Sequence, residues 1–106
     1  MNHHKAIEIF EALASETRLN VYRLLVKYGH DGLVAGEISS ILNIQPNNLS
    51  FHLKGMVHAG LILQEHEGRF LRYRANMDLM VKLIGYLTKE CCAGRPEICN
   101  LPGTAC

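Results

Sequence analysis

A mainly α fold with one small β-hairpin, in the order of a winged helix-turn-helix, is what three features of the 106-residue chain predict. Apolar residues recur at helical spacing in four segments before residue 60, and a proline opens the fourth. Between residues 61 and 75 the apolar pattern shortens to the strand period around a glycine, and beyond Met77 it becomes helical again.

The first segment, Lys5 to Ala14, places Ala6, Ile7, Ile9, Phe10, Leu13 and Ala14 at helical spacing. Ser15 is an N-cap for a second helix that carries Leu19, Tyr22, Leu24, Leu25 and Val26 and stops at Tyr28-Gly29. His30-Asp31-Gly32 reads as a turn, and Val34 to Leu42 as a short third helix ending at Asn43. Gln45-Pro46 opens the fourth, because a proline at the first helical position lacks only an N–H that would have no helical partner. Leu61–His66 and Phe70–Ala75 flank Glu67-Gly68-Arg69 as two strands of a hairpin. The last helix, Met77 to Glu90, spreads Leu79, Met80, Val81, Leu83, Ile84, Tyr86 and Leu87 over most of its circumference. Such a helix needs apolar cover on its outer side too, so a dimer formed by the N- and C-terminal helices is expected.

The length fits one core that needs neither disulfides nor structural metal, in a domain over residues 1–90 followed by a cysteine-containing tail over 91–106. Lys82 and Lys89 interrupt the longest apolar stretch, and the N-terminus lacks the apolar core of a signal peptide. No membrane partner is expected, and the expected location is cytoplasmic. A catalytic role is not expected either: the histidines are scattered, no nucleophile has a base beside it in sequence, and there is no glycine-rich phosphate loop.

Net charge is only +1, but the positive excess collects between residues 45 and 75, in Lys54, Arg69, Arg72 and Arg74 beside His52, His58 and His66. A local patch of this kind is sufficient for phosphate contacts. At about 100° per residue, Leu49, Leu53, Met56 and Val57 form one stripe of the fourth helix, and Asn47, Phe51, Lys54 and His58 point the other way. An outward phenylalanine can meet thymine methyls or sugar, Asn47 and Asn48 can pair with adenine, and Ser50 can bond phosphate. The DNA-facing set is therefore Gln45, Asn47, Asn48, Ser50, Phe51, His52 and Lys54, with Arg69 at the hairpin tip and Arg72 and Arg74 alternating along one strand. The bland alternative packs Phe51 on a neighbouring helix and leaves the polar residues merely solvated.

All four cysteines, Cys91, Cys92, Cys99 and Cys106, lie at the C-terminal end around Gly94 and Pro96. Thiols gathered beside a turn can converge on a soft ion, and in a reducing compartment they are metal ligands or redox sensors rather than structural disulfides. The paired His3 and His4 could make a separate N-terminal metal site, although terminal histidines are more often simply exposed.

The run Leu13-Ala14-Ser15-Glu16-Thr17-Arg18-Leu19, then Leu49-Ser50-Phe51-His52-Leu53-Lys54 leading to Ala59-Gly60-Leu61-Ile62, then Glu67-Gly68-Arg69 through Tyr73-Arg74, resembles the ArsR/SmtB family of winged-helix metalloregulatory repressors. The resemblance implies a homodimer bound to an inverted-repeat operator and released by an inducer. Family members with a cysteine pair at the start of the third helix carry it where this chain has Val34 and Gly36. The Asp/His pattern of zinc-sensing members on the last helix is also missing, and Pro46-Asn47 replaces the usual start of the fourth helix.

Cys91-Cys92 followed by Cys99 resembles instead an arsenic- and antimony-responsive subgroup whose inducer site lies C-terminal to the last helix. As(III) and Sb(III) take three thiolates in a trigonal pyramid, which three cysteines satisfy, whereas zinc prefers four ligands, for which Cys106 would be the extra one. A thiol redox switch, a Cd(II)- or Pb(II)-sensing repressor, a metalloid-binding protein without DNA affinity and a protein-interaction module remain the alternative readings.

Overall fold

The computed structural model describes residues 1–90. Helix α1 (His3–Leu13) starts where the Asn2 side chain accepts the Lys5 N–H at 2.7 Å, and α2 (Glu16–Tyr28) starts where Ser15 Oγ accepts from Arg18 N. Each cap satisfies a backbone donor that the first helical turn leaves unpaired. A 3₁₀ turn over Gly29–Asp31 leads to β1 (Leu33–Val34) and then α3 (Ala35–Leu42), whose entry is closed by Glu37 accepting the Val34 N–H at 3.0 Å.

Between α3 and α4 (Pro46–His58) the chain reverses at Asn43, which adopts the left-handed conformation at φ +54°. Asparagine tolerates that region better than most residues. Ser39 holds the reversal from both sides: its carbonyl accepts the Ile44 N–H at 3.1 Å and its hydroxyl donates to the Ile44 carbonyl at 2.6 Å. The fourth helix buries Leu49, Leu53 and Met56 against Ile9 of α1, Val21 and Leu25 of α2 and Ile38 of α3. Complete burial of one such side chain contributes about 1.5–3 kcal/mol, so this stripe decides which face of α4 turns outward.

Strands β2 (Ile62–Glu67) and β3 (Phe70–Ala75) pair antiparallel through a turn at Gly68, with Glu67 opposite Phe70. The sheet has three strands rather than the expected two, in the order β1-β3-β2. Leu33 and Val34 pair with Tyr73 and Arg72, so Val34 belongs to the strand and the third helix starts at Ala35. Two residues of extended chain carry no period that distinguishes them from a helix entry, and only the free edge of β3 defines them as a strand.

Helix α5 (Met77–Leu87) is anchored at its start by Asn76, whose Oδ1 accepts from Leu79 N while its amide donates to the Gly60 carbonyl at 2.9 Å. Its helical hydrogen bonding ends at Leu87, three residues short of the expected Glu90, where Thr88 turns its hydroxyl back to the Ile84 carbonyl at 2.7 Å. Lys5 on α1 donates to the Ala59 carbonyl at the end of α4 at 2.8 Å, so a cation lies at the negative pole of that helix. Only Leu83 of α5 is fully buried; Met77, Val81, Ile84 and Leu87 are exposed, as are Ile7 and Phe10 of α1. None of the helices among the described residues is long and apolar enough to cross a membrane.

Candidate nucleic-acid interface

Burial of Leu49, Leu53 and Met56 turns Gln45, Asn47, Asn48, Ser50, Phe51 and Lys54 to solvent. Phe51 is 71% exposed, which removes the alternative in which it packs on a neighbouring helix. His52 lies between the two faces, half-buried, with its ring edge-on to Phe51 at 5.7 Å between centroids. Its Nδ1 is 3.2 Å from Nη1 of Arg18, on α2. Burial, and then the Arg18 charge, push the imidazole below its ordinary pKa, so both favour the neutral ring.

The hairpin presents Arg69 and Phe70 at its tip, both exposed. Arg72, one of the expected phosphate contacts, is engaged within the protein. Its guanidinium makes a two-pronged ion pair with Glu67 at 2.8 and 3.0 Å and donates to the Asp31 carbonyl at 3.0 Å. Arg74 repeats the pattern one pleat along, with Glu65 at 2.6 Å and the His30 carbonyl at 2.6 Å. The planar guanidinium has several donors in a fixed fork, so one side chain can clamp a carboxylate and a carbonyl together. These two arginines brace the hairpin against the 3₁₀ turn, and Arg69 is its cation without an ion pair among the described residues. A groove of about 420 Å³ lined by Ser50, Lys54, His58, Gln64 and Tyr73 separates α4 from the sheet.

A helix-turn-helix domain family matches residues 13–65, the span from the end of α1 to β2. The arsenical resistance operon repressor of Bacillus subtilis is 30% identical over 83 residues, covering 78% of this chain and 74% of that one. The chain belongs to the ArsR/SmtB family of winged-helix regulators.

The arsenical resistance operon repressor of Escherichia coli is 32% identical over 68 residues, covering 64% of this chain; the chain spans 56% of that relative's length. Among solved structures, a homodimeric winged helix-turn-helix DNA-binding domain from Mycobacterium bovis superposes with a TM-score of 0.66. It is 22% identical, with 82% of this chain and 81% of that one covered, which speaks for the fold. ArsR/SmtB proteins are transcription regulators, and the order of elements found here is that of their winged helix-turn-helix.

Against the family pattern, Val34 in β1 and Gly36 in the first turn of α3 occupy the positions of the cysteine pair, and neither can ligate a metal. Among the described residues no three of His, Cys, Asp and Glu converge as metal ligands. The expected inducer ligands Cys91, Cys92 and Cys99, and the extra candidate Cys106, lie outside the described residues. His3, half of the suggested N-terminal pair, has Nδ1 3.1 Å from the Tyr86 hydroxyl, which links α1 to α5.

Sequence reasoning missed Arg18 as a partner of His52 on α4, because the two residues stand 34 positions apart and no local pattern joins them. It also passed over Phe70, which the turn at Gly68 leaves exposed at the hairpin tip.

Proposed function

We propose that the protein is a cytoplasmic, homodimeric transcriptional repressor that reads an inverted-repeat operator with α4 and is released by As(III) or Sb(III) bound to C-terminal thiolates. The observation that carries the DNA-reading half is the outward face of α4, where Phe51 stands exposed among Asn47, Asn48 and Lys54 in an ArsR/SmtB chain. Asn47 and Asn48 supply paired donor and acceptor groups suited to adenine, Phe51 an apolar surface for thymine methyls, and Gln45, Ser50 and Lys54 contacts to the backbone. Arg69 adds a cation at the wing tip. Two copies joined through the exposed apolar faces of α1 and α5 would present two such helices to successive major grooves.

The inducer half is supported by the names of two relatives, both arsenical resistance operon repressors, and by the chemistry of the cysteines. Cys91 and Cys92 follow α5 within a few residues, and Cys99 supplies a third thiolate for a trigonal metalloid. In this reading residues 1–90 bind DNA and dimerise, and 91–106 hold the inducer. Metalloid capture there would alter the packing of α5 between protomers and so the spacing of the two readers. Linkage requires DNA and metalloid to weaken each other's binding equally.

The test is fluorescence anisotropy of reduced protein on DNA from its own upstream region, titrated anaerobically with arsenite. Release at stoichiometric arsenite is expected, and a variant with Cys91, Cys92 and Cys99 changed to serine should bind DNA and ignore arsenite. Persistence of binding by the native protein would move the inducer to another ion or to oxidation, and no binding to DNA would remove the repressor reading altogether.

A further inference from the structure

Arg18 is held on two sides. Its Nε donates to the Ala12 carbonyl near the end of α1, and its Nη1 lies 3.2 Å from Nδ1 of His52 on α4. A guanidinium is always protonated and has no acceptor, so Nδ1 must accept this bond. An imidazole that accepts at Nδ1 while neutral carries its proton on Nε2. Among the described residues no buried side-chain nitrogen or oxygen lacks a partner, and Nε2 has none, so it lies at the surface. The Phe51 ring, its neighbour on α4, stands edge-on beside the imidazole at 5.7 Å between centroids.

We propose that Arg18 is a positioning residue for DNA recognition: by donating to Nδ1 it locks His52 as the Nε2–H form and presents that N–H as a neutral donor beside Phe51. The partner is a hydrogen-bond acceptor on duplex DNA, either guanine N7 in the major groove or a phosphate oxygen. The proposal rests on α4 being the DNA-reading helix. It adds that a residue outside the reading helix sets the chemistry of one reading side chain. Arg18 is the charged group that faces the ring, and its attachment to Ala12 keeps it from following His52 outward. A lysine at position 18 keeps the charge but not the fork that spans both partners.

The experiment combines nitrogen-resolved NMR of the histidine rings with operator affinity in a double-mutant cycle of Arg18→Lys and His52→Ala. Native His52 should show the Nε2–H form, and Arg18→Lys should populate the other tautomer. Arg18→Lys should weaken operator binding roughly tenfold in the native background and by little when His52 is already alanine. An equal loss in both backgrounds would make Arg18 merely structural and overturn the proposal, as would an Nδ1–H form of His52 in the native protein, a readout that needs no variant to fold. If the native protein binds no DNA, the reading beneath the proposal fails first, so the two failures are distinct. Operators carrying 7-deazaguanine or a methylphosphonate then separate a guanine N7 contact from a phosphate contact, according to which one abolishes the effect of Arg18→Lys.

Discussion

Gly32 packs so closely on Tyr73 that a Cβ at position 32 would overlap the Tyr73 carbonyl oxygen and press on the Arg74 side chain. Gly32 also has φ +61°, in the left-handed region. The close approach lets β1 pair with β3 immediately afterwards, at Leu33 opposite Tyr73. Gly32→Ala should therefore destabilise the protein by at least about 2 kcal/mol, combining backbone strain with a clash against backbone that cannot rotate away. Urea unfolding checks this. Gly36→Ala, where an added Cβ meets nothing within 4 Å, is the control and should cost nothing from overlap.

Phe51→Ala should separate binding from folding. The ring is exposed, so thermal unfolding should stay within about 0.5 kcal/mol of the native protein. Operator affinity should fall about tenfold or more if the ring covers thymine methyls. Anisotropy on the operator and a melting curve on the same sample measure both.

Val81 on α5 and Phe10 on α1 are exposed in the single chain, 54% and 45% respectively. Val81→Asp should leave the chain folded while abolishing the proposed dimer, because a carboxylate without a partner would be trapped in its apolar interface. Sedimentation velocity should show the shift to monomer, and operator affinity should fall with it. A variant that stays dimeric would place the interface elsewhere.

The brace at the wing predicts an acid response. Arg72 holds the Glu67 carboxyl below its ordinary range, chiefly by the direct hydrogen bond and then by its charge. A carboxylate whose folded pKa is depressed contributes stability above its unfolded pKa and loses it as pH falls through the folded value. Acidification through and below the usual carboxylate range should thus loosen the hairpin, which amide exchange at Leu71 and Arg72 would register. Arg72→Gln should remove most of that dependence, leaving only the weaker pull of the Arg74 charge. Because Glu67 is exposed, the effect on global stability should be small, and it should shrink further in high salt.

How much of this was legible in the sequence depends on the range of the interaction concerned. The Ser15 cap, the helix-opening Pro46, the reversal near Asn43, the glycine turn of the wing and the outward position of Phe51 all follow from residues within a turn or two of one another. Helical and strand periods are local properties, and the apolar stripe of Leu49, Leu53 and Met56 selects the outer face of α4 with no knowledge of what packs beneath it. The sequence alone thus determined the order of the helices and the hairpin and which side of α4 is left to solvent.

Tertiary structure alone decided the partners of the charged residues. Arg72 and Arg74 share the spacing of a phosphate-contacting strand, yet their guanidinium groups are taken up by Glu67 and Glu65 and by carbonyls 41 and 44 positions away. Leu33 and Val34 become a strand because β3 offers an unpaired edge, and Arg18 meets His52 because α2 and α4 pack on the same core. A long, flexible cation can reach many partners, and its sequence neighbours do not say which; only the packing of distant segments brings one acceptor within hydrogen-bond distance and leaves the others in water.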